Sequence, residues 1–243
     1  VMVAANNAGA GGATAATQSA SDGAGNTYTL RGNVIIRDPG SANDGCEFAR
    51  FTCEVTSALS GGTITVNFSP NVTSKAILAY RVQPGAGETI SFFSAGNGST
   101  GSSTTQGSGS LFTGADEYVF AGNAIETNTT VTGDSDTLDG SWSTMLTAVA
   151  NTGSDLTSMT VSGQWKGPGT SLNSQNRAST TAAAKDFAGG ALVLRSVSAT
   201  TDGVGAATGA GTATAVSVAF SSGAGAATGT ATATAVGAPL GIG

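Results

Sequence analysis

Three closely spaced aspartates are the best candidate in this sequence for a site that does chemistry. In the segment TGDSDTLDGSW, Asp134, Asp136 and Asp139 precede Gly140. Ca²⁺ prefers several oxygen ligands, and a tight glycine turn can gather them around the ion. The spacing departs from that of an EF-hand loop, and no Glu closes the loop at the expected position. Two interpretations stay open: a weak Ca²⁺ site, or a solvated acidic turn whose aspartates bond their own backbone.

Enzymatic chemistry has little support elsewhere in the chain. The absence of His excludes His-dependent nucleophiles, His-ligated zinc and His-based pH sensing. Five glutamates could supply the carboxylate pair of a glycoside hydrolase, but no spacing pairs them. They are Glu47, Glu54, Glu88, Glu117 and Glu126. We expect Glu54 and Glu117 on solvent-facing sides of strands, and a non-enzymatic protein with no cofactor other than the possible Ca²⁺.

Four large aromatic residues could form a platform on which a sugar ring stacks. They are Tyr80, Tyr118, Trp142 and Trp165. A large aromatic residue on a strand of a β-sandwich more often belongs to the core. We therefore expect these four residues to be core residues.

The composition is light, polar and weakly charged. Of 243 residues, 37 are Gly, 36 are Thr and 28 are Ser, whereas only 10 % are charged. Nine Lys and Arg with a net charge of -6 make no basic stripe for nucleic acid. No stretch approaches the roughly 18 apolar residues of a membrane-spanning helix, and the first residues do not read as a secretory signal. We expect neither nucleic-acid binding nor membrane insertion.

Apolar and polar residues alternate with a period of two along most of the chain, which predicts strands. Eight or nine such segments are bounded by turn-forming residues, and only residues 179–190, STTAAAKDFAGG, suggest a short helix. Residues 96–109 contain no charge and no large side chain, so we expect a long loop there. The predicted fold is all-β: an antiparallel, jelly-roll-like β-sandwich over residues 1–200, followed by an arm over residues 201–243.

Both cysteines lie on one predicted strand, CEFARFTC. Seven steps of about 3.3 Å place the Cα atoms of Cys46 and Cys53 roughly 23 Å apart, too far for a disulfide. We expect two free thiols, with Cys53 in the core and Cys46 at the strand end. Reduced cysteines fit a protein assembled in a cytoplasm.

The arm contains an internal repeat. Residues 205–216 read GAATGAGTATAV and residues 225–236 read GAATGTATATAV, an offset of 20 residues with differences only at positions 210 and 211. Alternation places Ala on one side of each copy. The other side is predicted to carry Thr212, Thr214, Val216, Val218, Phe220, Thr230, Thr232, Thr234 and Val236. Such small side chains bury too little apolar area to fold alone, so we expect an assembly arm clamped by other chains.

Residues 22–198 resemble a set of virion-associated proteins of tailed phages and prophages. The resemblance rests on DGAGNTYTL, on DPG followed by FARFTCEVTSALSGGTITVNFS, on TSKAILAYRV, and on TGDSDTLDGSWS. It implies a β-sandwich module of the particle: a tail fibre, a tail-tip or baseplate part, or a head decoration. Arms such as residues 204–243 look like the extended ends by which such proteins intertwine or dock. The resemblance supplies no active-site residues.

Three functional hypotheses follow. The first is a virion structural protein, assembled in the host cytoplasm with other virion proteins, that forms a homo-oligomer, with a trimer expected. The second is a receptor- or glycan-binding module on the virion, in which residues 96–109 and 132–140 contact a host surface glycan. The third is a subunit at the bacterial surface, of pilus type, whose arm completes the sheet of a neighbour.

Overall fold

The structure is a computed structural model that describes residues 1–6, 17–40, 45–58, 63–69, 72–84, 88–114, 117–137, 141–167, 173–198, 212–218 and 228–234. In these ranges the regular elements are strands, apart from one 3-10 turn at Asp155–Thr157. The all-β prediction is therefore confirmed. No helix in the described ranges has the length and apolar character needed to cross a membrane.

The strands follow one another at short intervals. In chain order they are β1 Met2–Asn6, β2 Thr17–Asp22, β3 Tyr28–Leu30, β4 Ile35–Arg37, β5 Cys46–Cys53, β6 Ile64–Ser69, β7 Lys75–Leu78, β8 Glu88–Ala95, β9 Ser99–Gly107, β10 Leu111–Thr113, β11 Glu117–Ile125, β12 Leu146–Ala150, β13 Met159–Lys166, β14 Asn173–Gln175, β15 Ala178–Ser198, β16 Thr212–Val218 and β17 Thr228–Thr234.

Two larger sheets and three two-stranded pairs account for these strands. The first sheet has the order β3-β5-β1-β7, with β4 also paired to β5. The second has the order β12-β13-β11-β15-β8, with β9 also paired to β15. The smaller pairs are β2-β6, β10-β14 and β16-β17. Pairing is mostly antiparallel, as the alternating segments and short connections require.

The chain divides into two compact units. One unit comprises Val1–Tyr80 and Phe92–Arg195, and the other comprises Arg81–Ser91 and Ser196–Gly243. The predicted boundary at residue 200 stays a prediction, as does the jelly-roll topology.

A row of glycines lets the two larger sheets approach each other. Gly122 of β11 lies in register with Gly163 of β13 and with Gly190 of β15. A Cβ atom at Gly122 would lie only 2.6 Å from Met2 Sδ and 3.2 Å from Phe48 Cζ, and one at Gly163 would lie 3.0 Å from Met2 Sδ. Met2 and Phe48 belong to the first sheet and are buried. The three glycines therefore form a trough in the second sheet that receives side chains of the first.

Arg50 joins the same two sheets through hydrogen bonds. Its side chain leaves β5 and is 1 % exposed. Nη1 donates to the carbonyl oxygens of Ala191, at 2.6 Å, and Gly96, at 3.1 Å. Burial lowers the pKa of Arg50 to about 10. Because a buried guanidinium needs acceptors, these backbone carbonyls compensate for part of the water that Arg50 loses.

The opposite face of the second sheet carries a buried polar cluster around Arg177. The Arg177 side chain is fully buried and donates from Nε to Gln164 Oε1 at 2.9 Å, from Nη1 to Asn123 Oδ1, and from Nη2 to Ser162 Oγ at 3.2 Å. Burial lowers the pKa of Arg177 to about 10. All three acceptors are neutral, so the guanidinium is satisfied by hydrogen bonds to neutral groups rather than by a direct carboxylate contact.

Three expectations for local structure were wrong. Residues 99–107 form strand β9, which pairs with β15 through its backbone, instead of a loop. Residues 179–190 belong to the long strand β15 and form no helix, because pairing with β9 and β11 outweighs the helix propensity of Ala and Lys. The cysteines are free and Cys46 lies at the end of a strand, both as expected. Cys53, however, was expected in the core and is half-buried, whereas Cys46 is buried against the second sheet.

Candidate functional site

A concave polar surface lies on β3, β5 and the residues that flank them. Thr29 stands opposite Thr52 in the antiparallel pair. Residues two apart on a strand share a side, so Thr27, Thr29 and Arg31 line one side of this pair together with Thr52, Glu54 and Thr56. These six residues and Gly25 enclose about 320 Å³. We call this surface the threonine groove.

The other side of the same strands is apolar and holds the groove on the body of the unit. Tyr28 and Phe51 pack in a cluster with Val3 and Ala49. The alternation in TYTLR and FTCEV places Tyr28 and Phe51 on the packed side, whereas Leu30 and Val55, farther along that side, are exposed. The groove therefore lies on the paired strands β3 and β5, of which β5 is mostly buried and β3 is largely exposed, and on the residues that flank them.

One end of the groove is fixed by Arg31. Arg31 Nε donates to Thr52 Oγ1 at 2.6 Å across the two strands, and the guanidinium carbon lies 4.2 Å from the centre of the Phe92 ring. The backbone N–H of Arg31 donates to the carbonyl oxygen of Arg50 at 2.7 Å. A stacked and hydrogen-bonded guanidinium loses less freedom when it binds a ligand.

The other end is fixed by Asn26, which is 6 % exposed. Asn26 Oδ1 accepts the backbone N–H groups of Thr56, at 3.0 Å, and Ser57, at 2.9 Å, while Nδ2 donates to Ser57 O at 2.9 Å. Asp22 holds Asn26 in turn through hydrogen bonds to its backbone and side chain. The segment before β3 is thus tied to the segment after β5.

Asp22 is the anchor of this turn. Burial opposes its charge, but hydrogen bonds from Asn26, from the Tyr28 hydroxyl and from the Ala24 backbone outweigh that effect and lower the pKa of Asp22. The same contact, together with burial, raises the pKa of Tyr28. The turn therefore holds a carboxylate and a neutral phenol at neutral pH.

The two charged residues of the groove, Arg31 and Glu54, do not form an ion pair with each other, since none of the ion pairs among the described residues joins them. Glu54 is exposed, and its carboxylate makes no hydrogen bond or ion pair with the described part of the chain. The groove thus offers one cationic donor, one anionic acceptor and four threonine hydroxyl groups. Of these, Thr52 Oγ1 already accepts a hydrogen bond from Arg31, and Thr56 Oγ1 already donates its proton to Asn26 Oδ1 at 3.3 Å.

The predicted acidic site has a structural role where it is described. Asp134 Oδ1 accepts the backbone N–H of Asp136 at 2.7 Å, and Oδ2 accepts that of Ala178 at 2.7 Å. Asp136 forms an ion pair with the buried Lys166 at 3.5 Å. These contacts favour the acidic-turn interpretation. Asp139 lies outside the described residues, so the Ca²⁺ site stays a prediction, and the described residues contain no cluster of three or more possible metal ligands from Asp, Glu and Cys.

The aromatic residues proposed as a sugar platform belong largely to the core. Tyr118 and Trp142 are each 7 % exposed. Tyr80, Phe120 and Trp165 form a chain of ring contacts, with centroid distances of 5.5 and 6.4 Å. Burial raises the pKa of Tyr80 to about 12.

The glutamates do not come together as a catalytic pair. Glu54 is exposed as expected, but the expectation for Glu117 was wrong, because it is 4 % exposed and accepts hydrogen bonds from Arg195. Glu126 accepts the backbone N–H of Gly45 at 3.2 Å, and Glu47 accepts Gln18 Nε2 at 3.2 Å. Each of these buried carboxylates is held in a separate structural contact.

The predicted arm residues fall on β16 and β17, which pair with each other. The antiparallel register places Thr214 opposite Thr232 and Ala215 opposite Ala231. Of the predicted arm residues, Thr212, Val216 and Val218 lie on β16 and Thr230 and Thr234 lie on β17, whereas Phe220 and Val236 lie outside the described residues. The two copies of the repeat thus form the two strands of one hairpin.

The threonine groove was not predicted from the sequence, although the spacing of its polar residues is visible there. The spacings Thr-x-Thr-x-Arg and Thr-x-Glu-x-Thr each place three polar residues on one side of a strand. The pairing of these two segments depends on the tertiary structure, which the spacing of residues alone does not show. Comparison of the chain with family models, with curated proteins and with solved structures finds no match. The fold and the groove define a class only: an all-β protein with a polar groove on its surface.

Proposed function

We propose that this chain is a non-enzymatic structural protein of a phage virion, a tail-fibre, tail-tip or capsid-decoration component, that self-assembles through its C-terminal arm. In this proposal the two larger sheets are the layers of a β-sandwich module, and the assembled form is a homo-oligomer such as a trimer. The assignment to a phage virion is inferred from the sequence resemblance. The self-assembly is inferred from the arm.

The observation that carries the proposal is the pairing of β16 with β17. Within the described residues this hairpin pairs with no other strand. A two-stranded hairpin by itself is only marginally stable in water, and its two outer edges expose unpaired N–H and C=O groups. A further strand or sheet would therefore stabilise it.

The composition of the arm favours a second copy of the same chain as that partner. Residues 203–243 contain no charged residue, and the only Pro in this range is Pro239. Natural edge strands are commonly protected from association by charges, Pro or bulges. Identical uncharged edges that carry none of these protections fit edge-to-edge or face-to-face pairing between copies.

The first unit supports a structural rather than a catalytic role. Several of its charged side chains pair with each other, such as Arg195 with the buried Glu117 and Lys185 with Asp155. Residues that hold each other in place are poor candidates for moving protons to a substrate. In this proposal the first unit is therefore a structural module of the virion and not a catalytic domain.

Assembly is tested by measuring the mass of the particle in solution. We expect the full chain to run as an oligomer by light scattering after size-exclusion chromatography. A chain that ends at Asp202 should run as a monomer. A full-length variant with Ala215→Pro and Ala231→Pro, which removes two N–H donors at paired positions, should also lose mass.

The matched control replaces the same two alanines by serine, which keeps both N–H donors. This control should assemble as the unchanged chain does. A full chain that is monomeric at all concentrations would contradict the proposal. So would a proline variant that keeps the full oligomeric mass.

A further inference from the structure

We propose that the threonine groove binds a neutral saccharide. This inference goes beyond the proposed assembly function, because the groove belongs to the first unit and the arm to the second. It also differs from the glycan site expected at residues 96–109 and 132–140, since no residue that lines the groove lies in those segments.

The size and shape of the groove suit a small ligand. Its volume of about 320 Å³ lies at the lower end of the roughly 300–1,000 Å³ range of small-molecule sites. Its floor is the paired backbone of β3 and β5, with Thr29 and Thr52 side by side. The paired strands keep Thr29 and Thr52 at fixed spacing, and the other lining residues flank these strands.

The polar groups of the groove match a polyol better than an ion. Thr27, Thr29, Thr52 and Thr56 carry hydroxyl groups. Thr52 Oγ1 already accepts from Arg31 and Thr56 Oγ1 already donates to Asn26, but each hydroxyl keeps at least one free acceptor position, because a hydroxyl has one donor and two acceptor positions. Sugar hydroxyls have the same dual character, so donor and acceptor patterns can adjust to each other. The charges of Arg31 and Glu54 cancel, which gives neither a cation nor an anion a net electrostatic advantage.

The two charged residues add directional bonds to a neutral ligand. Arg31 donates and Glu54 accepts, and hydrogen bonds with one ionised partner are stronger than those between neutral groups. Arg31 is already positioned by Thr52 and Phe92, and the far rim is positioned by Asn26. Little ordering remains to oppose binding.

The test is a titration of the isotopically labelled full chain, followed by amide chemical shifts. The probes are linear trisaccharides of glucose, galactose, mannose and N-acetylglucosamine, with a galacturonic acid trimer as the anionic arm. We expect at least one neutral probe to shift the amides of Thr27, Thr29 and Thr52 in a saturable way at millimolar concentration. The anionic probe should bind more weakly than that neutral probe.

Two substitutions examine the groove itself. Thr29→Val keeps the shape but removes a hydroxyl, and Glu54→Gln removes the charge of an exposed side chain. Each should weaken binding roughly 2- to 12-fold, the range for the loss of one hydrogen bond. Thr65→Val is the matched control, because Thr65 is also exposed on a strand, β6, and does not line the groove.

Three outcomes would overturn the inference. The first is no saturable shift in the groove with any neutral probe. The second is an equal loss of affinity in Thr29→Val and Thr65→Val. The third is tighter binding of the galacturonic acid trimer, which would assign an anion site instead. All three readouts are independent of the oligomeric mass that tests the arm.

Discussion

Gly122→Ala tests the close approach of the two larger sheets. The added Cβ would lie 2.6 Å from Met2 Sδ, 2.7 Å from Ser162 O and 3.2 Å from Phe48 Cζ. The thioether of Met2 can move, but Ser162 O belongs to the backbone of the neighbouring strand. Overpacking of this kind costs about 1–3 kcal/mol of unfolding free energy. For a domain of this size, that cost lowers Tm by roughly 2–12 °C.

The assay is thermal and urea unfolding followed by circular dichroism. Gly23→Ala is the matched control, because no atom lies within 4 Å of the Cβ that it would add. This control should leave stability unchanged or raise it slightly, since Ala restricts the unfolded chain more than Gly does.

A double variant separates the contact with Met2 from the contact with the backbone. In a Met2→Ala background, Gly122→Ala should cost less than it does in the unchanged chain, because one of the two close contacts is gone. The reasoning would be refuted if Gly122→Ala were as stable as the unchanged chain. It would also be refuted if Gly23→Ala lost as much stability as Gly122→Ala.

Two further predictions concern buried polar groups. Asn123→Ala leaves Arg177 Nη1 without its acceptor and should lower the free energy of unfolding in urea by about 3 kcal/mol. Ser179→Ala removes only the long 3.4 Å bond to the same Asn123 oxygen and should cost under about 1 kcal/mol. Equal costs would contradict the role given to Asn123. Native labelling with a thiol reagent should modify Cys53 slowly, faster as pH rises, and leave Cys46 unmodified. Burial raises the pKa of both thiols, most strongly that of Cys46, so equal labelling of both would contradict the structure.

The strands with clear hydropathy contrast could be predicted from the sequence. The segment CEFARFTC was predicted as one strand and is β5, Cys46–Cys53. Strand β9 was missed because Ser, Thr and Gly alternate without hydropathy contrast, and only the backbone pairing with β15 reveals it. The short helix predicted at residues 179–190 was wrong for the opposite reason. The local sequence favours a helix, but tertiary pairing with neighbouring strands stabilises a strand there.

The features that depend on register could not be read from the sequence. Gly122, Gly163 and Gly190 are far apart in the chain, and only the pairing of three strands aligns them. The threonine groove has the same origin, because Thr29 and Thr52 meet only when β3 pairs with β5. Arg177 showed no sequence signal at all, since a single buried Arg among neutral partners has no characteristic spacing.

The bond from Arg50 to Ala191 has a consequence for how the chain folds. The two residues are 141 positions apart in the chain. At a synthesis rate of about 5–20 residues per second, Arg50 leaves the ribosome roughly 7–28 s before the carbonyl that it binds. Contacts between such distant residues also slow folding in isolation. The two larger sheets therefore come together late, and during synthesis the apolar side of the first sheet stays uncovered until the second sheet is complete.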